Sequence, residues 1–257
     1  MTTRYGRFAL RDGSTVFARV DGESLRVQDA APWLGGKETG VVQPSAETTR
    51  LCPVTPSKIL CIGRNYHAHV KEMGGELPKE PLLFLKPTSS LLDPGGVVIL
   101  PPESSRVEHE SELGVVIAKK GRRIPVERAM EHVLGYTIVG DITARDLQKS
   151  DGQWSRAKGF DTFCPVGPDI VAGVDPCALS IRGRVNGQTR QDGNTRDMIF
   201  DVARLVSHLS QAMTLEAGDL IATGTPEGVG PLVDGDVFEI EIESLGTLRV
   251  TVRREGA

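Results

Sequence analysis

The sequence lacks several features that mark common classes of protein. Only 5% of its residues are aromatic, and none of its four cysteines lies in a CxxC pair. Neither a zinc finger nor a disulfide framework is predicted, so we expect reduced cysteines. No block of Lys and Arg resembles a surface for phosphate backbones, which argues against nucleic acid as a partner. No apolar run approaches the length of a membrane span, so we expect no membrane association and a cytoplasmic location.

Familiar catalytic motifs are also missing. The chain contains no GxSxG, HExxH, GxxxxGK[ST] or GxGxxG motif. Their absence argues against α/β-hydrolases, zincin proteases, P-loop NTPases and dinucleotide-binding enzymes. The glycine-rich stretch 224–230 (GTPEGVG) lacks the lysine of a phosphate-binding loop and is interpreted as a turn.

What is present is a chain of 257 residues with an ordinary globular composition and many short apolar runs. Two Asp-Gly pairs separate apolar runs near the N-terminus, which predicts hairpins. Residues 53–56 (PVTP) are interpreted as a linker between a small β-rich N-terminal segment, residues 1–55, and a catalytic domain, residues 56–257. The clearest predicted helix covers 198–213, and 236–253 predicts a C-terminal hairpin.

The main chemical signal is a group of acidic residues in 106–118 (RVEHESELGVVIA). In a strand, Glu108, Glu110 and Glu112 would share one side. Buried together they would repel one another, and a divalent cation would relieve that conflict. The alternative is a solvated edge strand whose glutamates deter aggregation. Asp141, which follows a short apolar run, is a further candidate ligand, and an all-oxygen set favours Mg²⁺ or Mn²⁺ over zinc.

Two further patterns suggest catalysis. His69 and Glu72 are three residues apart, so on a helix the carboxylate can orient the imidazole as a general base. A surface ion pair is the alternative. The following Gly74-Gly75 indicates that this segment can move as a lid. Lys158, in a partly apolar stretch, would suit the polarisation of a substrate, although most lysines are simply exposed.

Seven ordered motifs between residue 58 and the C-terminus resemble the fumarylacetoacetate hydrolase family. They are GRNYHAHVKE (63–72), PLLFLKP (81–87), VEHESELGVVIAKK (107–120), GYTIVGDITARDLQ (135–148), WSRAKGFDTFCPVGP (154–168), VNGQTRQDGNTRDMIF (185–200) and ATGTPEGVGPL (222–232). The resemblance implies an α+β, strand-dominated fold, a mixed β-roll of the fumarylacetoacetate hydrolase C-terminal domain type, with the small β-rich N-terminal segment. It also implies a homodimer.

Carried over motif by motif, the resemblance also implies roles for individual residues. These are the metal ligands Glu110, Glu112 and Asp141, the catalytic residues His69, Glu72 and Lys158, the substrate contacts Arg145, Thr225, Gln148 and Asn65, and Lys86 as a supporting residue. His67 departs from the pattern, because relatives have a small residue at this position in the lid.

The implied function is that of a divalent-metal-dependent enzyme acting on small 2-oxo acids. Hydrolysis of the C–C bond of acylpyruvates such as fumarylpyruvate, through a metal-bound enolate, is the first expectation, as in the breakdown of aromatic compounds. The alternatives are a 2-hydroxyhepta-2,4-diene-1,7-dioate isomerase/decarboxylase and an oxaloacetate decarboxylase. A non-enzymatic alternative is a protein that only binds a metal or an oxo acid.

Overall fold

The computed structural model describes residues 2–256, and β-strands dominate it. The strands are β1 (Thr3–Ala9), β2 (Thr15–Asp21), β3 (Ser24–Gln28), β4 (Glu38–Pro44), β5 (Thr49–Leu51), β6 (Ile59–Gly63), β7 (Leu82–Lys86), β8 (Leu91–Leu92), β9 (Val97–Leu100), β10 (Val107–His109), β11 (Ser111–Ile117), β12 (Val133–Gly140), β13 (Thr143–Ala144), β14 (Cys164–Ala172), β15 (Ser180–Val185), β16 (Gln188–Asn194), β17 (Leu220–Ala222), β18 (Gly230–Pro231), β19 (Val237–Ile242) and β20 (Gly246–Arg254). The α-helices are α1 (His67–Glu72), α2 (Arg145–Asp151), α3 (Ser155–Gly159) and α4 (Val202–Ala212). Short 3-10 helices cover Pro32–Leu34, Ser45–Glu47, Thr88–Ser90, Val126–His132, Pro176–Ala178 and Thr195–Asp197. The predicted strand-dominated α+β class is confirmed.

The largest sheet has 12 strands, and its main path runs β4-β3-β2-β1-β14-β12-β11-β17-β6-β7. The predicted N-terminal hairpins are present, since β1, β2 and β3 pair antiparallel across turns that contain the two Asp-Gly pairs. Strand β1 also pairs with β14, so the N-terminal strands continue the sheet of the later residues. Residues 53, 54 and 56 are buried, so the segment interpreted as a linker is packed into the protein.

Two smaller sheets complete the frame around the candidate site. A five-stranded sheet has the order β16-β15-β19-β20-β9, and a three-stranded sheet has the order β13-β10-β18. The predicted C-terminal hairpin is confirmed by the antiparallel pair β19–β20, in which alternate residues of β19 are buried. Leu113 and Ile138 of the large sheet share one apolar core with Ile181 and Phe238 of the five-stranded sheet.

Helix α4 forms as predicted but begins later than predicted. The side chain of Asp201 caps it by accepting a hydrogen bond from the Arg204 backbone N–H. Its apolar face, which includes Leu205 and Leu209, is fully buried, whereas residues 195–197 form a 3-10 turn. The apolar spacing therefore predicted the packed face correctly, and the cap decides where the helix starts.

The four cysteines are free, as predicted, and three of them are buried. Among the helices described in residues 2–256, none is both long and apolar enough to span a membrane.

Candidate active site

The acidic stretch does not form one continuous strand as predicted. Strand β10 ends at His109 and β11 begins at Ser111, so Glu110 lies at the break between them. Strand β11 pairs with β12 in the register that sets Ser111 opposite Gly140, which brings Asp141 next to the break. One carboxylate oxygen from each of Glu110, Glu112 and Asp141 lies within 4.8 Å of the others, and all three residues are buried. The interpretation as a solvated edge strand is wrong.

Glu108 faces the same buried region but belongs to a different set of contacts. Its carboxylate accepts hydrogen bonds from Arg145 Nε at 2.7 Å and from Arg106 Nε at 2.6 Å. Arg145 also donates to Glu110 Oε1 at 2.5 Å and to Gln148 Oε1 at 2.7 Å. Arg145 thus links the two glutamates and holds the Gln148 amide one turn further along α2.

Two buried lysines surround Asp141. Lys158, on α3, donates to Asp141 Oδ2 at 2.5 Å, Glu110 Oε2 at 2.9 Å and Thr143 Oγ1 at 2.9 Å. Lys86, at the end of β7, donates to Asp141 Oδ1 at 2.6 Å. Burial alone would lower the pKa of Lys158, but Asp141 and Glu110 outweigh it and hold this pKa above its usual value. Lys158 is therefore placed as a donor to both carboxylates.

Glu112 is the carboxylate that these cations leave without a partner. Its Oε2 accepts a hydrogen bond from the Gly224 backbone N–H at 2.8 Å, and no cationic side chain within residues 2–256 forms an ion pair with it. Burial and the carboxylates of Asp141 and Glu110 raise the pKa of Glu112 well above its usual value. Burial also acts to raise the pKa of Glu110, but Lys158 and Arg145 hold it below its usual value.

This imbalance fits a divalent cation. Four buried carboxylates, those of Glu108, Glu110, Glu112 and Asp141, face three buried cationic side chains, those of Lys86, Arg145 and Lys158. A carboxylate oxygen can accept from a lysine and still offer a lone pair to a metal, because it has two. The donors are hard oxygens, which Mg²⁺ and Mn²⁺ prefer. The three predicted ligands therefore form a site suited to such an ion, and the identity of the ion stays a prediction.

The predicted dyad is assembled on α1. His69 Nδ1 lies 3.1 Å from Glu72 Oε2, and His69 is only 5% exposed. The other carboxylate oxygen of Glu72 accepts from the Gly228 backbone N–H at 3.0 Å, so Glu72 also joins α1 to the loop after β17. Because Nδ1 faces Glu72, Nε2 is the nitrogen that His69 can present to the cavity it lines.

These side chains surround a cavity of about 410 Å³, counting the space at its open mouth. The cavity is lined by the predicted residues His69, Glu110, Glu112, Asp141, Arg145, Gln148, Lys158 and Thr225, and also by Ile62, Gly63, Arg64, Met73, Phe84 and Trp154, which were not predicted. Lys158 Nζ lies 5.0 Å from the centre of the Phe84 ring, a cation–π contact at the cavity wall.

Asn65 does not line the cavity. Its amide donates to the backbone oxygens of Phe200 and Thr223 and accepts from the Phe200 N–H. Asn65 therefore anchors the start of the segment that carries Gly224 and Thr225, and the substrate contact implied for it stays a prediction. Arg64, Phe84 and Trp154 each stand in one of the motifs quoted above, but their spacing gave no reason to assign them a role, and separate elements bring them to the site.

Comparisons with known proteins give the same family as the sequence motifs. The model of the fumarylacetoacetate (FAA) hydrolase C-terminal family matches residues 58–253. The mitochondrial oxaloacetate tautomerase FAHD2A of Homo sapiens is 46% identical over 80% of this chain and 70% of that protein. The mitochondrial oxaloacetate decarboxylase of Dictyostelium discoideum is 48% identical over 75% of this chain and 92% of that protein.

Solved structures agree over nearly the whole chain. A 2-hydroxyhepta-2,4-diene-1,7-dioate isomerase from Mycobacterium marinum superposes with a TM-score of 0.92 at 43% identity, covering 99% of this chain and 100% of that one. A maleylpyruvate hydrolase from Sphingobium has a TM-score of 0.80 at 33% identity, covering 98% and 99%. Similar folds with similar sequences thus accompany several reactions.

Proposed function

This chain belongs to the fumarylacetoacetate hydrolase family, whose members are enzymes, and we propose that it hydrolyses the C–C bond of acylpyruvates. The observation that carries the proposal is the His69–Glu72 dyad at the wall of a cavity with buried carboxylates. Loss of CO₂ from oxaloacetate needs an electron sink but no base. Hydrolysis needs both, since a water molecule must lose a proton as it attacks.

Glu110, Glu112 and Asp141 would hold Mg²⁺ or Mn²⁺, with Glu112 as the ligand that lacks another positive partner. Such an ion, when bound, supplies positive charge that polarises the oxygens of a 2-oxo acid. Arg145, Gln148 and Thr225 line the cavity beside these carboxylates and are suited to bind the carboxylate of the same acid.

The chain's own residues account for the proton transfers. His69, oriented by Glu72, takes one proton from water while the water oxygen bonds to the acyl carbon of the substrate. The bond between that carbon and the CH₂ group then breaks, and its electron pair remains on the pyruvate fragment as an enolate. The acyl fragment leaves as a carboxylic acid, and the enolate takes the proton that His69 accepted, which gives pyruvate and restores the neutral imidazole. The charge on Lys158, which Asp141 and Glu110 maintain, favours this anionic fragment.

Arg64 supports a substrate with a second carboxylate. It is exposed at the mouth of the cavity, and within the described chain its guanidinium takes part in no hydrogen bond or ion pair. Its φ of 59° is uncommon for a residue other than glycine, and the neighbouring Asn65 is tied down by its hydrogen bonds. An arginine whose backbone is held at this place can bind a carboxylate with two parallel hydrogen bonds. Fumarylpyruvate has such a group at its far end, and acetylpyruvate does not.

A second candidate is proton transfer or decarboxylation on oxaloacetate. The names of the human and Dictyostelium relatives favour it, and their identity to this chain exceeds that of the maleylpyruvate hydrolase. The dyad would suit keto–enol conversion as well as hydrolysis, because both need a base. The products distinguish the reactions: hydrolysis of fumarylpyruvate gives fumarate and pyruvate, decarboxylation gives CO₂, and tautomerisation changes neither mass nor charge.

The test is turnover of the purified protein with fumarylpyruvate, acetylpyruvate, oxaloacetate and 2-hydroxyhepta-2,4-diene-1,7-dioate. Each substrate is assayed with Mg²⁺, with Mn²⁺ and with EDTA, and products are identified by NMR. We expect the protein to produce fumarate and pyruvate from fumarylpyruvate with Mg²⁺ or Mn²⁺ and to produce neither with EDTA. Turnover of oxaloacetate only would move the assignment to the second candidate. Tight metal binding without turnover of any substrate would favour a binding protein.

A further inference from the structure

Gln191, on β16, has a side-chain amide whose orientation is fixed by its neighbours. The residue is fully buried, and its Oε1 accepts from the Ser111 backbone N–H at 3.0 Å. Its Nε2 donates to the Pro226 carbonyl at 2.8 Å and to Thr225 Oγ1 at 2.7 Å. A backbone N–H can only donate and a backbone carbonyl can only accept, so the amide cannot be flipped without losing both contacts.

The hydroxyl of Thr225 therefore has its acceptor positions occupied. Oγ1 accepts from Gln191 Nε2 and also from the Ser111 backbone N–H at 3.1 Å. A hydroxyl has two lone pairs and one proton, so the remaining capacity is donation. Thr225 is 2% exposed and lines the cavity with Arg145 and Gln148. No acceptor for its proton is found within residues 2–256.

We propose that Gln191 is a positioning residue that makes the Thr225 hydroxyl an obligatory donor into the cavity. The ligand of this donor is the carboxylate of a 2-oxo acid, a class that rests on the proposed function. The Ser111 backbone N–H donates to both Gln191 Oε1 and Thr225 Oγ1. It therefore holds these two side chains against β11, the strand that carries Glu112. Gln191 itself touches no substrate, because Thr225 and Pro226 lie between its amide and the cavity.

Gln191→Glu is the variant that tests the polarity of this arrangement. A carboxylate has nearly the shape of the amide but cannot donate to Thr225 Oγ1, so the threonine proton would turn toward the introduced carboxylate and away from the cavity. A hydrogen bond to a charged ligand would be lost in the ground state and the transition state alike. We expect KM to rise about tenfold to a hundredfold while kcat changes little.

The matched variants are Thr225→Ser, which keeps the hydroxyl, and Thr225→Val, which keeps the shape without it. Thr225→Val should raise KM as Gln191→Glu does, and Thr225→Ser, which keeps the donor, should raise KM clearly less than Thr225→Val. Combining Gln191→Glu with Thr225→Val should raise KM no further than either change alone, since both remove one hydrogen bond. Thermal unfolding of each variant checks the fold. If Gln191→Glu does not fold, the comparison of Ser with Val at position 225 still tests the donor.

Binding of pyruvate in the presence of Mg²⁺, measured by calorimetry, separates the two levels of the argument. If the wild type and Thr225→Val bind pyruvate with the same affinity, the donor role of Thr225 is overturned and the proposed function still stands. Additive effects of Gln191→Glu and Thr225→Val, or a loss confined to kcat and melting temperature, would show that Gln191 is only structural. Wild-type protein that neither binds pyruvate nor turns over any 2-oxo acid would refute the proposed function itself.

Discussion

Replacing Glu112 with glutamine should make the metal-free protein more stable. Glu112 is buried beside two other carboxylates and has no cationic partner in the described chain, whereas a glutamine oxygen could still accept from Gly224 N–H. The pKa of Glu112 in the folded protein is raised above the usual 4.5, so as the pH rises this carboxyl group ionises in the unfolded chain before it ionises in the folded protein. Ionisation stabilises the unfolded chain, and the free energy of unfolding therefore falls above pH 4.5 until Glu112 also ionises in the folded protein.

The size of the effect follows from the pH. Holding a carboxyl group neutral costs about 1.4 kcal/mol for each pH unit above its unfolded-state pKa, which sets a ceiling of about 3.5 kcal/mol at pH 7. Glu112→Gln removes this cost. We expect a gain of about 2 to 3 kcal/mol in the free energy of unfolding at pH 7, but under about 1 kcal/mol at pH 5. In a domain of this size, each kcal/mol corresponds to roughly 2 to 4 °C in melting temperature.

The assay is urea unfolding in EDTA at the two pH values, followed by the same titrations with Mg²⁺. Magnesium should stabilise the wild type much more than the variant, because the variant lacks one ligand. Glu108→Gln is the matched control, since it removes a buried carboxylate that Arg145 and Arg106 contact. It should cost about 3 kcal/mol at pH 7. The reasoning fails if Glu112→Gln in EDTA destabilises the protein as Glu108→Gln does.

Three further predictions concern catalysis. His69→Ala should lower kcat for hydrolysis by about 10²- to 10⁴-fold and leave magnesium binding and stability nearly unchanged, which product assays and calorimetry measure. Arg64→Gln should raise KM about tenfold for fumarylpyruvate but not for acetylpyruvate, with Arg64→Lys intermediate, in steady-state kinetics. Gly228→Ala should lower kcat about tenfold, because the new Cβ would lie 2.0 Å from the Arg190 carbonyl oxygen and the displaced loop would release Glu72.

Each of these has a result that would contradict it. Full activity of His69→Ala on every substrate would show that the base is another group. An equal rise in KM for both acylpyruvates in Arg64→Gln would mean that Arg64 acts on the shared part of the substrate. Unchanged kcat in Gly228→Ala, with the melting temperature lowered, would mean that the contact of the loop with Glu72 serves stability alone.

The parts of the site that could be predicted from sequence are those set by local geometry or by ordered motifs. His69 and Glu72 meet because residues three apart lie on one face of a helix, here α1. Glu110 and Glu112 stay close because they are two residues apart. Glu108 also faces this buried region, but its carboxylate is paired with Arg145 and Arg106 and lies outside the group of three carboxylates, which period two could not predict.

Residues that act through tertiary contacts could not be found in this way. Gln191 lies in a polar stretch of β16 that looks like an exposed hairpin strand, and both neighbours on its strand are exposed. It is buried because the loop through Pro226 and Gly228 packs over the backbone of residues 190 and 191. Arg64 has no periodic or compositional signal, and its significance depends on the absence of a partner in the folded chain.

The geometry also suggests where members of such a family can diverge. The inner end of the cavity carries the carboxylates, Lys158 and Arg145, which would act on the 2-oxo acid group that acylpyruvates and oxaloacetate share. The mouth carries Arg64, Met73 and Trp154, which would meet the part of the substrate that differs. The proposed base, His69, is carried by α1. Among the described contacts, the hydrogen bond from Gly228 N–H to Glu72 is the only one that joins a side chain of α1 to the loop after β17. Changes at the mouth or in this hydrogen bond can therefore alter which substrate is accepted, or which carbon receives a proton, while the buried charges stay as they are.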